Sequence, residues 1–300
     1  MTGIDAAQLN FSPASLHVLN AILGIVMFSV AIDLRLSDFR ALLRRPKPIF
    51  VGAAAQFLVL PALTFLLVMA LRPSPSIALG LILVASCPGG NVSNFFTHRA
   101  GGNTALSVSL TALATVAALL MTPINIALWG SLYAPTRALL TQTRIDPVSV
   151  AITVGVMLLV PLAAGIALNH YRPAVTACLR RPLKWLSMGI FAAFILMSLR
   201  ANWAYFLEFV GVIAGLVVLH NALAFAGGFA TATLARLPAF DRRAVTIETG
   251  IQNSGLGLVL IFAFFGGMGG MAIVAAFWGI WHIIAGFAIS TVFSRREAAR

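Results

Sequence analysis

Nine apolar segments, each close to the roughly 20 residues that a bilayer-spanning helix needs, follow one another along the 300-residue sequence. They cover residues 16–31, 49–71, 77–97, 103–121, 147–168, 185–199, 209–234, 244–265 and 271–293. Charged residues make up only 9% of the chain and its mean hydropathy is +0.97, which excludes a soluble globular domain. The sequence therefore predicts an all-α integral membrane protein with nine transmembrane helices.

The basic residues are distributed unequally between alternate loops. Sixteen of the twenty lie in loops on one side: Arg35, Arg40, Arg44, Arg45, Lys47, Arg99, Arg172, Arg180, Arg181, Lys184, Arg236, Arg242, Arg243, Arg295, Arg296 and Arg300. The other side holds Arg72, Arg137, Arg144 and Arg200. Because Lys and Arg accumulate in cytoplasmic loops, we expect a periplasmic N-terminus and a cytoplasmic C-terminus in a bacterial inner membrane. The net charge of +12 then reflects topology and not nucleic-acid binding.

Two of the segments contain residues that interrupt helices. The third carries Cys-Pro-Gly-Gly-Asn-Val-Ser-Asn at 87–94, and the eighth carries Glu-Thr-Gly-Ile-Gln-Asn-Ser-Gly at 248–255. Pro removes a helix hydrogen bond and Gly weakens the helix around it. Paired breaks in two halves of a membrane chain indicate a substrate and ion site near the midplane. Five spans separate the breaks, so their directions are expected to be opposite, as in an inverted repeat.

Glu248 is the only carboxylate well inside an apolar segment. An ionisable side chain at that depth is costly and is therefore a candidate functional residue. Glu248 also lies only five residues after Arg243, about 7.5 Å along a helix, so an alternative is that it snorkels to the interface.

Neutral oxygen donors accompany the carboxylate. Asn103, Ser107, Thr111 and Thr115 are spaced four apart and are predicted to line one helix face. Small packing residues whose hydroxyls bond the carbonyl four residues back are the alternative. Gln56 lies upstream of a kink expected at Pro61, and Gln252 follows Glu248 by four residues. Such a set suits a hard monovalent cation, which prefers oxygen ligands with few charges among them.

The runs at 87–94 and 248–255 resemble those of the bile acid:sodium symporter family, and the resemblance extends from about residue 16 to the end. It implies a single transporter unit over 1–300, a ten-helix inverted-repeat fold that lacks its first helix here. It also implies two broken, crossing helices. Panel helices are expected at about 16–34 and 146–200, and core helices at about 49–130 and 209–294.

The resemblance also implies two sodium ions and their ligands. The first sodium site falls on Ser93, Asn94, Ser107, Thr111 and Glu248. The second falls on Gln56, Glu248, Thr249, Ile251 and Gln252, with backbone carbonyls at Thr249 and Ile251. Substrate is expected near Asn91, Asn253 and His282. Bacterial relatives often have Trp-His-Asn where this chain has Trp-His-Ile at 281–283, which makes bile acids less favoured.

The predicted function is sodium-coupled import of an organic anion by alternating access, with a small or amphipathic monocarboxylate, pantoate-like or bile-acid-like, as substrate. Proton coupling through Glu248 is the alternative within transport. An ion channel would need a ring of like residues or a signature filter, which the sequence does not contain. An intramembrane enzyme is disfavoured because His-Glu-x-x-His and Gly-x-Ser-x-Gly runs are absent.

Overall fold

A computed structural model describes residues 4, 13–32, 46–143, 146–201 and 203–298, which are nearly all helical. The helices are α1 (Pro13–Ala31), α2 (Pro46–Leu71), α3 (Pro75–Ser86), α4 (Val92–Arg99), α5 (Thr104–Leu132), α6 (Ala134–Thr143), α7 (Pro147–Tyr171), α8 (Pro173–Ala201), α9 (Trp203–Leu234), α10 (Ala239–Gly250), α11 (Ser254–Phe264) and α12 (Gly269–Ala298). Some residues used to predict the orientation and the panel helices lie outside the described residues. They are 33, 34, Arg35, Arg40, Arg44, Arg45, Arg144 and Arg300.

Five of the described helices are long and apolar enough to cross a bilayer: α2, α5, α7, α9 and α12. The prediction of an α-helical integral membrane protein is therefore confirmed. The apolar helices α3 and α11 have 12 and 11 residues, or roughly 18 Å at 1.5 Å per residue. Since a hydrocarbon core is about 30 Å thick, neither crosses it alone, and each is followed or preceded by a second short helix.

Several helix ends differ from the predicted boundaries. The fourth segment continues to Leu132, through Pro123, instead of ending at residue 121. The sixth begins at Pro173 instead of residue 185, so Arg180 and Arg181 lie on a helix and not in a loop. Hydropathy marks where a segment is apolar, whereas the helix continues as long as its backbone hydrogen bonds do. The two segments predicted from hydropathy were therefore shorter than the helices that contain them.

Both predicted interruptions are present. The backbone is non-helical between Ser86 and Val92 and again between Gly250 and Ser254. The two stretches pair with each other in antiparallel fashion: the Gly90 N–H donates to the Ile251 carbonyl at 2.7 Å, and the Asn253 N–H donates to the Pro88 carbonyl at 2.9 Å. Each break thus supplies hydrogen-bond partners for the other, as backbone at membrane depth requires.

The helices pack closely on one another, and α7 contacts both α1 and α5. α1 lies against α7 and α8, while α3 packs on α5 and α12, and α9 packs on α10 and α12. Close approach between α3 and α12 depends on Gly80, because a Cβ there would lie 2.9 Å from the Met271 Cα. The fully buried Trp278 lies in the core formed mainly by α3, α11 and α12. This packing fixes the positions of the two breaks.

Candidate functional site

Glu248 lies on α10, and its carboxylate is buried against α4 and α5, with 2% of the residue exposed. Its Oε2 accepts hydrogen bonds from Ser93 Oγ at 2.5 Å and Ser107 Oγ at 3.0 Å, and its Oε1 accepts one from Thr111 Oγ1 at 2.7 Å. All three donors are neutral hydroxyls. The side chain is held inside the protein, so snorkelling to the interface does not describe it.

The break after α3 brings these hydroxyls to the carboxylate. Ser93 lies in the first turn of α4, which begins at Val92 as soon as the break ends. Ser107 and Thr111 are one turn apart on α5, and Thr111 Oγ1 also lies 3.4 Å from Asn94 Oδ1. The five residues predicted for the first sodium site are therefore joined by contacts, although they come from three helices.

Thr97 also belongs to this group, and sequence reasoning missed it. Its hydroxyl donates to Ser107 Oγ at 3.3 Å, and its side chain is buried. The signal was present in the sequence, since Thr97 follows Ser93 by four residues and therefore lies on the same face of α4. It supports Ser107 and has no bond to the carboxylate itself.

Two residues predicted to line the same face of α5 have other roles. Asn103 precedes the helix and caps it, accepting the Leu106 N–H at 3.0 Å. Thr115 donates to the Thr111 carbonyl at 2.7 Å. Asn103 therefore lies just before α5 and not on it, because an amide before a helix start caps free N–H groups. Thr115 follows the alternative of bonding to the carbonyl four residues back.

The side chains of Gln56 and Gln252 form a second polar group beside Glu248. Gln56 Nε2 donates to Gln252 Oε1 at 2.8 Å, and Gln252 Nε2 donates back to Gln56 Oε1 at 3.2 Å. Gln56 Nε2 also lies 3.0 Å from the Cys87 carbonyl, and Gln252 Nε2 lies 2.7 Å from the Thr249 carbonyl. These contacts tie α2 to both breaks.

The carbonyls of the second break have separate partners. The Thr249 carbonyl accepts from Gln252, the Ile251 carbonyl accepts from the Gly90 N–H, and the Gly250 carbonyl accepts from Asn221 Nδ2 at 2.8 Å. The Thr249 hydroxyl is directed away, to the Val245 carbonyl. The backbone oxygen of Thr249, and not its hydroxyl, therefore lies beside the glutamine pair.

A π-helical turn at Ala55–Val59 positions Gln56, and the sequence did not predict it. Pro61 has no N–H, so it cannot donate to the Phe57 carbonyl four residues back. Asn125 Nδ2 donates to that carbonyl instead at 3.1 Å. Such turns occur often at functional sites, and Pro61 was the signal for an irregular helix here.

A cleft connects the two groups of polar residues. Gly52, Ala53, Gln56 and Phe57 line it from α2; Leu110, Leu113 and Ala114 line it from α5; and Glu248 lines it from α10. Its polar lining comes from Gln56 and Glu248, while the remaining walls are apolar. Glu248 and Gln56 thus face a common space.

The three predicted substrate residues are not joined to one another. Asn253 caps α11 by accepting the Leu256 N–H at 3.0 Å, and its Nδ2 lies 3.8 Å from Met27 Sδ. His282 is buried on α12, and its Nδ1 has no hydrogen-bond partner among the described residues. Asn91 precedes α4 but makes no side-chain capping bond. No hydrogen bond in the described part of the chain links any two of them.

Comparison with known families identifies the class of protein to which the chain belongs. The model of the Sodium Bile acid symporter family matches residues 20–209. The chain belongs to this family. It is 32% identical to the uncharacterized sodium-dependent transporter YocS of Bacillus subtilis (strain 168), over 97% of this chain and 88% of that protein.

Other family members with similar sequences come from plants and animals. The probable chloroplastic sodium/metabolite cotransporter BASS1 of Arabidopsis thaliana is 31% identical over 91% of this chain and 66% of its own length. The ileal sodium/bile acid cotransporter of Oryctolagus cuniculus is 30% identical over 80% of this chain and 67% of its own length. Membership of the sodium bile acid symporter family makes this chain a sodium-dependent membrane transporter and not an enzyme.

Proposed function

We propose that this protein is a sodium-coupled symporter that imports an organic monocarboxylate by alternating access. The observation that carries the proposal is the Glu248 carboxylate, which is buried and, among the described residues, receives hydrogen bonds only from Ser93, Ser107 and Thr111. A buried charge requires an opposite charge or a coordinated cation. None of the hydrogen-bond partners of Glu248 is cationic, so a cation bound at the site would supply the missing charge.

The composition of the site favours sodium over a transition metal. Within the described ranges, no three His, Cys, Asp or Glu side chains lie together as a metal site. One carboxylate among hydroxyl, amide and carbonyl oxygens suits a hard cation of low charge. In the proposal, the first ion lies among Ser93, Asn94, Ser107, Thr111 and Glu248. The second lies among Gln56, Glu248, Gln252 and the carbonyls of Thr249 and Ile251.

The broken helices support the family's inverted-repeat fold for this chain. The two breaks run antiparallel where they pair, as expected for segments of opposite direction. In the proposed nine-helix arrangement α1, α7 and α8 form the panel, and the remaining spans form the core. Transport would then proceed by movement of the core against the panel around the paired breaks. Packing of α1 on α7 and α8 supports that grouping.

The anion would be held without a basic side chain. None of the twenty Lys and Arg residues lies in the apolar centre of a predicted span. The positive charge available to a carboxylate comes from bound sodium and from the N-terminal ends of α4 and α11, which begin at the breaks. With Glu248 at −1, two sodium ions would leave the site at +1. A monovalent organic anion would neutralise that charge.

The substrate class follows from the same charge balance. We infer a small or amphipathic monocarboxylate from this balance, and the resemblance to the family implies a pantoate-like acid as first candidate, with bile acids second. Calorimetry with these acids in sodium and then in potassium buffer tests the coupling. Binding should be strong only in sodium, because each ligand raises the affinity of the other by the same factor. Equal affinity in both buffers would contradict sodium coupling.

Sodium titration of thermal stability in detergent tests the ion site directly. Glu248→Ala should abolish the stabilisation by sodium, because both proposed ion positions use this carboxylate. Thr111→Ala should weaken it only in part. Thr115→Ala serves as the matched control, since its hydroxyl bonds only the Thr111 carbonyl and its sodium response should stay at the wild-type level. A normal sodium response in Glu248→Ala would refute the site.

Uptake into vesicles distinguishes sodium coupling from proton coupling. Labelled acid should accumulate when a sodium gradient is imposed and should not accumulate when a proton gradient is imposed in its place. Accumulation with the proton gradient alone would assign Glu248 a proton instead of a sodium ion.

A further inference from the structure

Asp241 is a second buried carboxylate on α10. It lies in the first turn of the helix with 1% of the residue exposed, although its neighbour Phe240 is 52% exposed. Glu248 follows it by seven residues, about 10.5 Å along the helix and nearly on the same face. The two carboxylates therefore lie about two turns apart along one side of α10. Asp241 is the one closer to the protein surface.

Only one oxygen of Asp241 is bonded. Its Oδ1 accepts from Asn103 Nδ2 at 2.7 Å, and its Oδ2 is buried with no hydrogen-bond partner among the described residues. A carboxylate can only accept hydrogen bonds when ionised. An ionised Oδ2 in this position therefore requires a cation or a further donor.

The neighbouring basic side chains are directed elsewhere. Arg243 Nη1 donates to the carbonyls of Ala100 at 3.0 Å and Gly101 at 2.9 Å. The Arg242 guanidinium lies over the Phe229 ring at 5.1 Å. Neither arginine donates a hydrogen bond to Asp241, so the adjacent positive charges do not satisfy Oδ2.

A row of contacts connects Asp241 with Glu248. Asn103 contacts Asp241, and then Ser107 and Thr111, one and two turns further along α5, contact Glu248. We call these contacts between α5 and α10 the polar ladder. It presents carboxylate and hydroxyl oxygens between the start of α10 and the proposed ion site, and the Asn103 amide donates to the first of these carboxylates.

We propose that the unpartnered Oδ2 of Asp241, whose carboxylate Asn103 holds in place, forms a further alkali-cation site at the outer end of the polar ladder, through which sodium passes between Glu248 and solution. The inference rests on the proposed sodium-coupled function. A single carboxylate forms a weaker ligand set than the one at Glu248, which suits a position that an ion occupies briefly. Its location just below the surface gives an arriving or leaving ion a partner before the next step along the ladder.

Anomalous diffraction from crystals of the full chain in thallium(I), a heavy substitute for an alkali cation, tests the site. We expect thallium peaks at the two ion positions proposed beside Glu248 and a further peak beside Asp241 Oδ2. Asp241→Asn should remove the further peak and keep those at Glu248, whereas Glu248→Gln should remove those at Glu248 and keep the further peak. Peaks at Glu248 with none at Asp241 in the wild type would overturn this inference alone. Absence of all these peaks would overturn the proposed function as well.

Sodium exchange in proteoliposomes provides the functional readout. Asp241→Asn should slow exchange of labelled sodium by about tenfold or more, since a fixed charge on an ion's route changes association rates by that order. The stabilisation by sodium at equilibrium should stay close to the wild-type level. Asp146→Asn is the control, because Asp146 also begins a helix but bonds only Val148 and Ser149. Equal exchange rates in Asp241→Asn and wild type would contradict the proposal that sodium passes Asp241. If Asp241→Asn does not fold, the wild-type thallium crystal alone decides the question.

Discussion

The side-chain amides of Gln56 and Gln252 donate to each other in both directions, although 196 residues separate them in the sequence. This pair connects the π-helical turn of α2 to the second break. Each amide also donates to a backbone carbonyl, at Cys87 and Thr249 respectively. The pair therefore fixes the positions of both carbonyl oxygens.

Substitution of either glutamine should weaken the sodium response without abolishing it. Gln56→Ala and Gln252→Ala should each cost about 1–3 kcal/mol in sodium binding, the cost of an unsatisfied buried polar contact. The double variant should lose less than the sum of the two losses, because each residue acts partly through the other. Sodium titration of thermal stability measures all three values. Gln142→Ala, at an exposed position on α6, is the control, and strictly additive losses would contradict the coupling.

Gly89→Ala should damage the ion site because the added methyl group overlaps with the Glu248 carboxylate, although the substitution changes no charge. A Cβ at this position would lie 2.5 Å from Glu248 Oε1, so the carboxylate must move away from Thr111. Overpacking of this kind costs about 1–3 kcal/mol of stability, and the sodium response should fall with it. The control is Gly189→Ala, where a Cβ meets nothing within 4 Å. Thermal unfolding with and without sodium measures both effects, and a normal sodium response in Gly89→Ala would show that the carboxylate position is not critical.

The sequence was sufficient to predict the two breaks and the polar residues around them. Proline, glycine and a carboxylate in apolar segments are local signals, and both interruptions lie where those residues occur. The roles of Asn103 and Thr115 could not be read from their spacing, since a helical pattern does not show where the helix begins. The partner of Asn221, the Gly250 carbonyl, could not be predicted either, because this bond joins two segments whose relative positions the sequence does not specify.

Asn125→Ala should lower stability because it removes the amide donor of the Phe57 carbonyl and the amide acceptor of Trp129 Nε1. The residue is 3% exposed, and an unsatisfied buried carbonyl costs about 1–3 kcal/mol. Adding Pro61→Ala to this variant should recover part of the loss, since alanine supplies an N–H four residues after Phe57. Chemical or thermal unfolding in detergent compares the single and double variants. Equal stability of Asn125→Ala and wild type would contradict the assigned role of this hydrogen bond.

Asn221 should influence sodium binding without contacting the ion. Its Nδ2 donates to the Gly250 carbonyl, and its side chain is almost fully buried. Asn221→Asp should lower sodium affinity more than Asn221→Ala, because an ionised carboxylate cannot donate to that carbonyl and adds a buried charge. Sodium titrations of the two variants give the comparison, and the reverse order would show that Asn221 acts through packing alone.

The orientation of the chain can be tested with its own cysteines. Cys87 is buried and Cys178 is exposed, so only Cys178 should react with a maleimide in the folded protein. The distribution of basic residues assigns Cys178 to the cytoplasmic side and Arg72 to the periplasmic side. A membrane-impermeant maleimide should therefore leave Cys178 unlabelled in intact cells and label it in inside-out vesicles. An Arg72→Cys variant, exposed at the end of α2, should show the opposite pattern. Labelling of Cys178 from outside intact cells would reverse the predicted topology and would place Asp241 and the outer end of the polar ladder on the periplasmic side.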